Sequence, residues 1–270
     1  MIRSPLSSLL FRALTLAAAS TTVGTAGDFE EPIVPVTMES ENDWGFEFRP
    51  YFWTASIEGD ARLGNLPTAD VDIGFDDILD WLDMTWASTF NVEHRPSGIS
   101  FFIDTFYLRM TPDVDTTAGP IDIRSVTIKQ AIINPTLAYR VWEQPERLNY
   151  LDLTAGVAWT YMSLDFRAKN TVTGADIGPD DRVDWIDLHV GPPARYSLTE
   201  KLYTGFLFDI SPFQTGADFG LQLASGLGYR VTPWWSVEFM YRYLHIDYEE
   251  KDFLYDTDTH GLFLGSVFSW

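Results

Sequence analysis

From Trp44 to the C-terminus, apolar and polar residues alternate in segment after segment. A period of two is the strand period, and it restricts the chain to an all-β fold. Phe46, Phe48 and Phe52 alternate with Glu47, Arg49, Tyr51 and Trp53, and Val237, Phe239, Tyr241 and Tyr243 with Ser236, Glu238, Met240 and Arg242. One face of each segment is apolar and aromatic; the other is charged, small or polar. A soluble sandwich buries the first face. A transmembrane barrel turns the first face to lipid and the second to its lumen. Alternation alone does not separate these folds.

Strand and connection lengths separate them. Ten strands are predicted, near 45–57, 84–95, 99–110, 125–141, 149–165, 184–197, 202–210, 218–231, 235–248 and 260–270. Most have about 10–14 residues, the length of a tilted membrane strand rather than of a globular one. Tight connections at Arg95-Pro96-Ser97-Gly98, Leu198-Thr199-Glu200-Lys201 and Thr232-Pro233-Trp234 alternate with long ones at 58–83, 111–124, 166–183 and 249–259. Short turns on one side and long loops on the other are the outer-membrane pattern. The expected fold is a single closed antiparallel transmembrane β-barrel of ten strands, with eight or twelve as the neighbouring even counts. A soluble exported β-barrel or sandwich that binds a ligand is the alternative.

The ends of the chain agree with export to a membrane. Residues 1–26 read as a cleavable signal: Arg3 and Arg12, the short apolar run Ala13–Ala19, then small residues at Gly24-Thr25-Ala26. Residues 27–43 carry six acids and two prolines without apolar period, and read as a flexible acidic leader into a barrel over 44–270. At the other end, Leu262, Leu264, Phe268 and Trp270 place apolar residues at alternate positions before a terminal aromatic, while Ser266 departs. This pattern resembles the C-terminal signal by which barrel-assembly machinery recognises outer-membrane proteins.

Composition excludes several functions. A formal charge of -21 repels phosphate, so no nucleic-acid partner is expected. With no cysteine there are no disulfides and no thiolate metal sites. The segments Pro50-Tyr51-Phe52-Trp53, Phe75–Asp83, Asp104-Thr105-Phe106-Tyr107-Leu108 and Tyr241-Arg242-Tyr243 resemble an uncharacterised family of Gram-negative outer-membrane β-barrel proteins. That resemblance implies a barrel in the outer membrane. It carries no activity and no catalytic residues. The pair Pro192-Pro193 departs from it and predicts a bulge or early strand end.

Candidate chemistry concentrates on the inferred lumen face. It holds Glu47, Glu93, Asp104, Asp152, Asp187, Asp209 and Glu238 with Arg49, Arg95, Arg140, Arg230 and Arg242, and His189 shares a face with Asp187. Glu47, Arg49, Glu93 and Arg95 are expected at similar depth, pairing across the first two long strands. The result is a salt-bridged structural core, with a narrow cation-preferring channel as the competing reading. An enzyme acting on lipid or protein through Asp187 and His189 is a further alternative. No serine motif completes a triad, so no enzymatic role is expected. No cofactor or metal centre is expected either: the histidines lack ligand spacing, and Asp70-Val71-Asp72-Ile73-Gly74 puts glycine one position early for a calcium loop. The acidic loops leave divalent cations open as partners, beside outer-membrane lipid and lipopolysaccharide.

Two further readings concern apolar residues. Phe75, Ile78, Leu79 and Leu82 fall at helical spacing, with Asp76 and Asp77 in the first turn, so a short helix is expected in the first long loop. It is expected to cap hydrophobic strand ends rather than to plug the mouth. Tyr51, Trp53, Trp142, Trp159, Trp185, Trp234, Trp235 and Tyr248 lie near predicted strand ends and read as aromatic girdles, with a sugar-binding track as the alternative.

Overall fold

The computed structural model describes residues 42–62, 68–112, 116–118, 121–177, 180–251 and 253–270. The export segment, and all of the acidic leader but its last two residues, lie outside them. The elements are β1 (Trp44–Arg62), β2 (Ala69–Ile73), α1 (Phe75–Trp81), β3 (Leu82–His94), β4 (Ile99–Met110), β5 (Thr116–Ala118), β6 (Ile121–Gln144), β7 (Asn149–Asn170), β8 (Asp176–Ile177), β9 (Asp180–Gly191), β10 (Ala194–Ser197), β11 (Leu202–Ser211), β12 (Phe219–Thr232), β13 (Trp235–Glu250) and β14 (Phe253–Ser269).

The long strands pair with their neighbours, antiparallel throughout, in the circular order β1, β3, β4, β6, β7, β9 with β10, β11, β12, β13, β14 and back to β1. Closure runs from Glu47–Ser269 to Arg62–Leu254, and Phe46 and Trp270 exchange both backbone hydrogen bonds at 3.0 Å. Ten strands form the wall, because β9 and β10 are one strand broken at Pro192-Pro193. The two prolines cannot donate; Asp152 N–H still donates to Pro193 O at 3.0 Å and Thr154 Oγ1 to Gly191 O at 2.6 Å. The tight turns lie at one end. Two are single 3-10 turns, Arg95–Ser97 and Pro145–Arg147, each closed by a left-handed residue, Gly98 and Leu148.

Three of the expected long connections, 111–124, 166–183 and 249–259, are at least half strand. β13 ends at Glu250 and β14 begins at Phe253, so the span 249–259 is a tight hairpin; β6 likewise begins at Ile121. Acidic residues read as loop because sequence polarity was equated with connection. Above a membrane both faces of a strand are polar, and alternation vanishes while the ladder continues.

That extension aligns like charges. Asp70, Asp60, Asp256 and Asp247 are cross-strand neighbours in one row over β2, β1, β14 and β13. Two residues below, Asp72, Glu58, Asp258 and His245 form a second row. Like charges directly opposite destabilise a sheet. Burial and the facing Asp256 and Asp218 raise the pKa of Asp247. The folded state therefore holds that proton more tightly than the unfolded chain, and acidification toward its folded pKa favours the fold. Asp256→Asn should raise the urea midpoint at neutral pH, by roughly 0.2–1 kcal/mol for each relieved pair. The gain should shrink in high salt, where screening already weakens the repulsion. An unchanged midpoint in both salts would remove the ladder as a source of strain.

Candidate functional site

The barrel encloses a cavity of about 1040 Å³. It runs from Trp270, Trp234 and Glu146 at the short-turn end up to Ser211, Gly220 and Ile246. Every residue placed on the lumen face by alternation lines it: Glu47, Arg49, Glu93, Arg95, Asp104, Arg140, Asp152, Asp187, His189, Asp209, Arg230, Glu238 and Arg242. Strand phase put them there. What the phase did not specify is how they pair.

Glu47, Arg49, Glu93 and Arg95 do not form the expected quartet. The β1–β3 register sets Glu47 opposite Asn91 and Arg49 opposite Thr89, so Glu93 and Arg95 lie nearer the short-turn end. Arg49 instead pairs with Glu47 at 2.6 Å and reaches Glu238 at 3.2 Å. Arg140 takes Glu93 at 2.6 Å and Asp152 at 2.9 Å, and Arg95 donates to the backbone oxygen of Asn42. Higher up, Arg242 donates to Tyr51 Oη at 3.0 Å and Gln222 at 2.9 Å, and lies 3.5 Å from Asp104. These contacts cross the lumen, because an arginine stem is long enough to reach beyond its neighbouring strand.

Asp187 and His189 share the lumen face but pair with other residues. His189 Nδ1 lies 2.9 Å from Asp209, and its Nε2 3.3 Å from Thr136 Oγ1. Gly156 leaves the room, since a Cβ there would fall 2.5 Å from His189 Nε2. Thr136 is only 1% exposed, so the hydroxyl at the end of this chain fixes the imidazole and is shut off from solvent. Asp187 accepts from Trp185 Nε1 at 2.8 Å and from the Ala217 N–H at 2.7 Å. It thereby ties the 212–218 connection to β9.

Arg195 and Tyr150 also line the lower cavity, with Tyr203 buried beside them, and all three are additions to the sequence-predicted set. Arg195 lies over both tyrosine rings, 5.4 Å and 4.7 Å from their centroids, and 3.7 Å from each of Glu47 and Glu238. Arg230 covers Tyr203 as well, at 4.9 Å, and Tyr203 packs closely on Gly228. Strand phase runs unbroken through Pro192-Pro193, so Arg195 keeps the inward parity of Asp187 and His189.

Above the charged cavity the interior turns apolar. Trp53, Ala55 and Phe263 pack with Phe106 and Leu244; Trp185, Ala217, Ile246, Tyr248 and Tyr255 pack with Leu244 and Met162; Ile57, Ile78, Leu108 and Met110 pack with Phe106. Leu244 and Phe106 join these groups into one layer. Trp185 on β9 stacks on Tyr248 of β13, with centroids 4.1 Å apart. Tyr51, Trp53, Trp185 and Tyr248 therefore belong to the interior and not to a girdle. Trp142 and Trp234 are exposed at the short-turn end, Trp234 at the rim of the cavity.

The outer face is a band of exposed apolar residues: Phe90, Phe101, Leu137, Leu153, Ile186, Phe206, Phe239, Leu262 and Leu264 among others. Trp44, Trp142, Trp234 and Trp270 border it at the short-turn end. No soluble protein leaves such a band uncovered, whereas lipid covers it at no cost. No family model and no curated protein matches the sequence. Among solved structures, the outer-membrane protease OmpT from Escherichia coli is 12% identical over 84% of this chain and 97% of its own, with a TM-score of 0.55. The translocator domain of the autotransporter NalP from Neisseria meningitidis is 11% identical over 97% and 95%, with a TM-score of 0.44. At 12% identity the likeness to the protease is one of fold.

The chain is an outer-membrane β-barrel. Its short turns and the Trp270 end therefore face the periplasm. In that frame the charged cavity is a periplasm-facing chamber, and the apolar layer is its extracellular roof. Among the described residues, no group of three or more His, Asp or Glu is arranged to hold a metal ion.

Proposed function

We propose that this barrel is a passive conduit for small polar solutes whose resting form is shut on the extracellular side. The observation that carries the reading is the charged chamber of about 1040 Å³ beneath a roof that, among the described residues, consists of strand side chains, α1 and one short connection. Its size is that of a small-molecule site. Its lining, among the described residues, has nine carboxylates against six guanidiniums, so a solute carrying positive charge is favoured. A roof of side chains can move without unfolding the wall, which an inserted domain cannot do.

The absence of cysteine makes access measurable. Ala224 lines the chamber, so Ala224→Cys should react with a charged, water-soluble thiol reagent supplied from the periplasmic side and resist the same reagent supplied outside. In planar bilayers the wild type should show rare, brief, cation-selective openings. Equal reaction from both sides, or none from either, would remove the one-sided chamber. The outward positions of Leu262 and Leu264, with Trp270 exposed at the cavity rim, suit recognition of the last strand by assembly machinery before insertion.

A further inference from the structure

The wall is not laddered all round. β1 and β3 pair from Trp44–His94 to Pro50–Ser88, and there the ladder stops although both strands run on. On this side β1 next finds a partner at Ile57, in β2. Tyr51–Ser56 thus have no ladder partner on β3. Phe52 is in this stretch and faces outward among the lipid-exposed residues, so the split begins within the apolar band. Unpaired backbone at that depth is costly unless something covers it.

α1 covers it. The chain descends β2 along β1, turns at Gly74, and lays seven helical residues against the gap before entering β3. Ile78 is buried against Ile57, Leu108 and Met110 of the inner layer. Leu79, next to it, is 44% exposed. A cleft of about 20 Å³ lies under the helix. Its lining joins outward-facing Phe52 and exposed Leu79 to Trp53, Phe106 and Leu108 inside. The path from bilayer to interior is therefore mainly apolar, with Thr85, Gln130 and Thr259 its polar members, and one short helix seals it.

We propose that the split between β1 and β3 is a lateral port, with α1 as its door, through which an apolar chain from the outer leaflet reaches the apolar layer inside the barrel. A seven-residue helix spans about 10 Å, wide enough for a single acyl chain or a similarly slender hydrocarbon. The door is held mainly by the packing of Ile78, and a helix this short has little stability of its own. This route is separate from the charged chamber, and holds whether or not that chamber conducts.

Trp53 reports on the port, because it faces the interior and only a chain that has passed α1 can touch it. The refolded full chain would be placed in phosphatidylcholine vesicles and in vesicles whose acyl chains carry bromine, which quenches tryptophan on contact. The Trp53 signal is the difference between wild type and Trp53→Phe. Quenching of that component is expected in brominated vesicles. It should increase in Ile78→Ala, which loosens the door, and be largely lost in Leu79→Lys, which puts a charge at the entrance. Leu79 is exposed, so this variant keeps the fold, and the heat-dependent gel shift confirms it. A Trp53 component that bromine leaves untouched in both wild type and Ile78→Ala overturns the port. Quenching that Leu79→Lys does not reduce overturns it as well, since chains would then be entering elsewhere.

Discussion

Trp185→Ala combined with Tyr248→Ala should turn a nearly silent barrel into one with steady conductance. The stacked pair spans β9 and β13 across the 212–218 connection, so the two rings bridge strands that do not touch through the wall. Removing both deletes the centre of the roof, and the chamber beneath is already wide and charged. Single-channel recording would show long cation-selective openings in the double variant and smaller changes in each single one. Ala224→Cys on the same background should become reactive from the extracellular side too. Each truncation costs about 3–5 kcal/mol of packing, so the heat-dependent gel shift must first show a folded barrel. A folded double variant that stays silent would place the barrier elsewhere in the lumen and remove the roof as the gate.

The second large effect concerns Glu238. Its side chain is 1% exposed, accepts from Tyr203 Oη at 2.9 Å and lies 3.2 Å from Arg49 and 3.7 Å from Arg195. Glu238→Gln leaves two guanidiniums sharing Glu47 alone. Stripping one partner from a buried ion pair costs about 3–5 kcal/mol. The lower figure is expected, because both arginines line the chamber rather than a close-packed core. A fall of that size in urea-unfolding free energy, measured in vesicles, is the predicted result. Adding Arg195→Gln should return part of it, because the second substitution removes a charge that the first left unpaired. Two losses that simply add would mean that the residues do not share one network.

The wall of this protein was legible from the alternation, since strand phase fixes which residues face lipid. It placed Glu47, Arg49, Asp104, Glu238 and Arg242 in the lumen. Partners were not legible, because pairing inside a barrel depends on stagger and on reach across the lumen. The roof was missed for a different reason. Along the inner face of β1 the residues run Glu47, Arg49, Tyr51, Trp53, Ala55, Ile57, and along β13 Glu238, Met240, Arg242, Leu244, Ile246, Tyr248. The change from charged to apolar on one parity was present in the sequence. It passed for a girdle because aromatic residues near strand ends have two readings. Only burial separates them.

The interruption at Pro192-Pro193 has a mechanical consequence. The β1–β14 closure, where the two ends of the chain meet, has a nearly unbroken ladder from Glu47 to Arg62. The β9–β11 contact has one cross-strand pair, Ile210–Val190, and Leu188 N–H donates instead to Thr215 Oγ1. Under load, or during amide exchange with heavy water, the cylinder should part first along β9 and β11, and its chain ends should stay joined. The last junction made in assembly is thus among the strongest, and the tear line runs through the middle of the sequence.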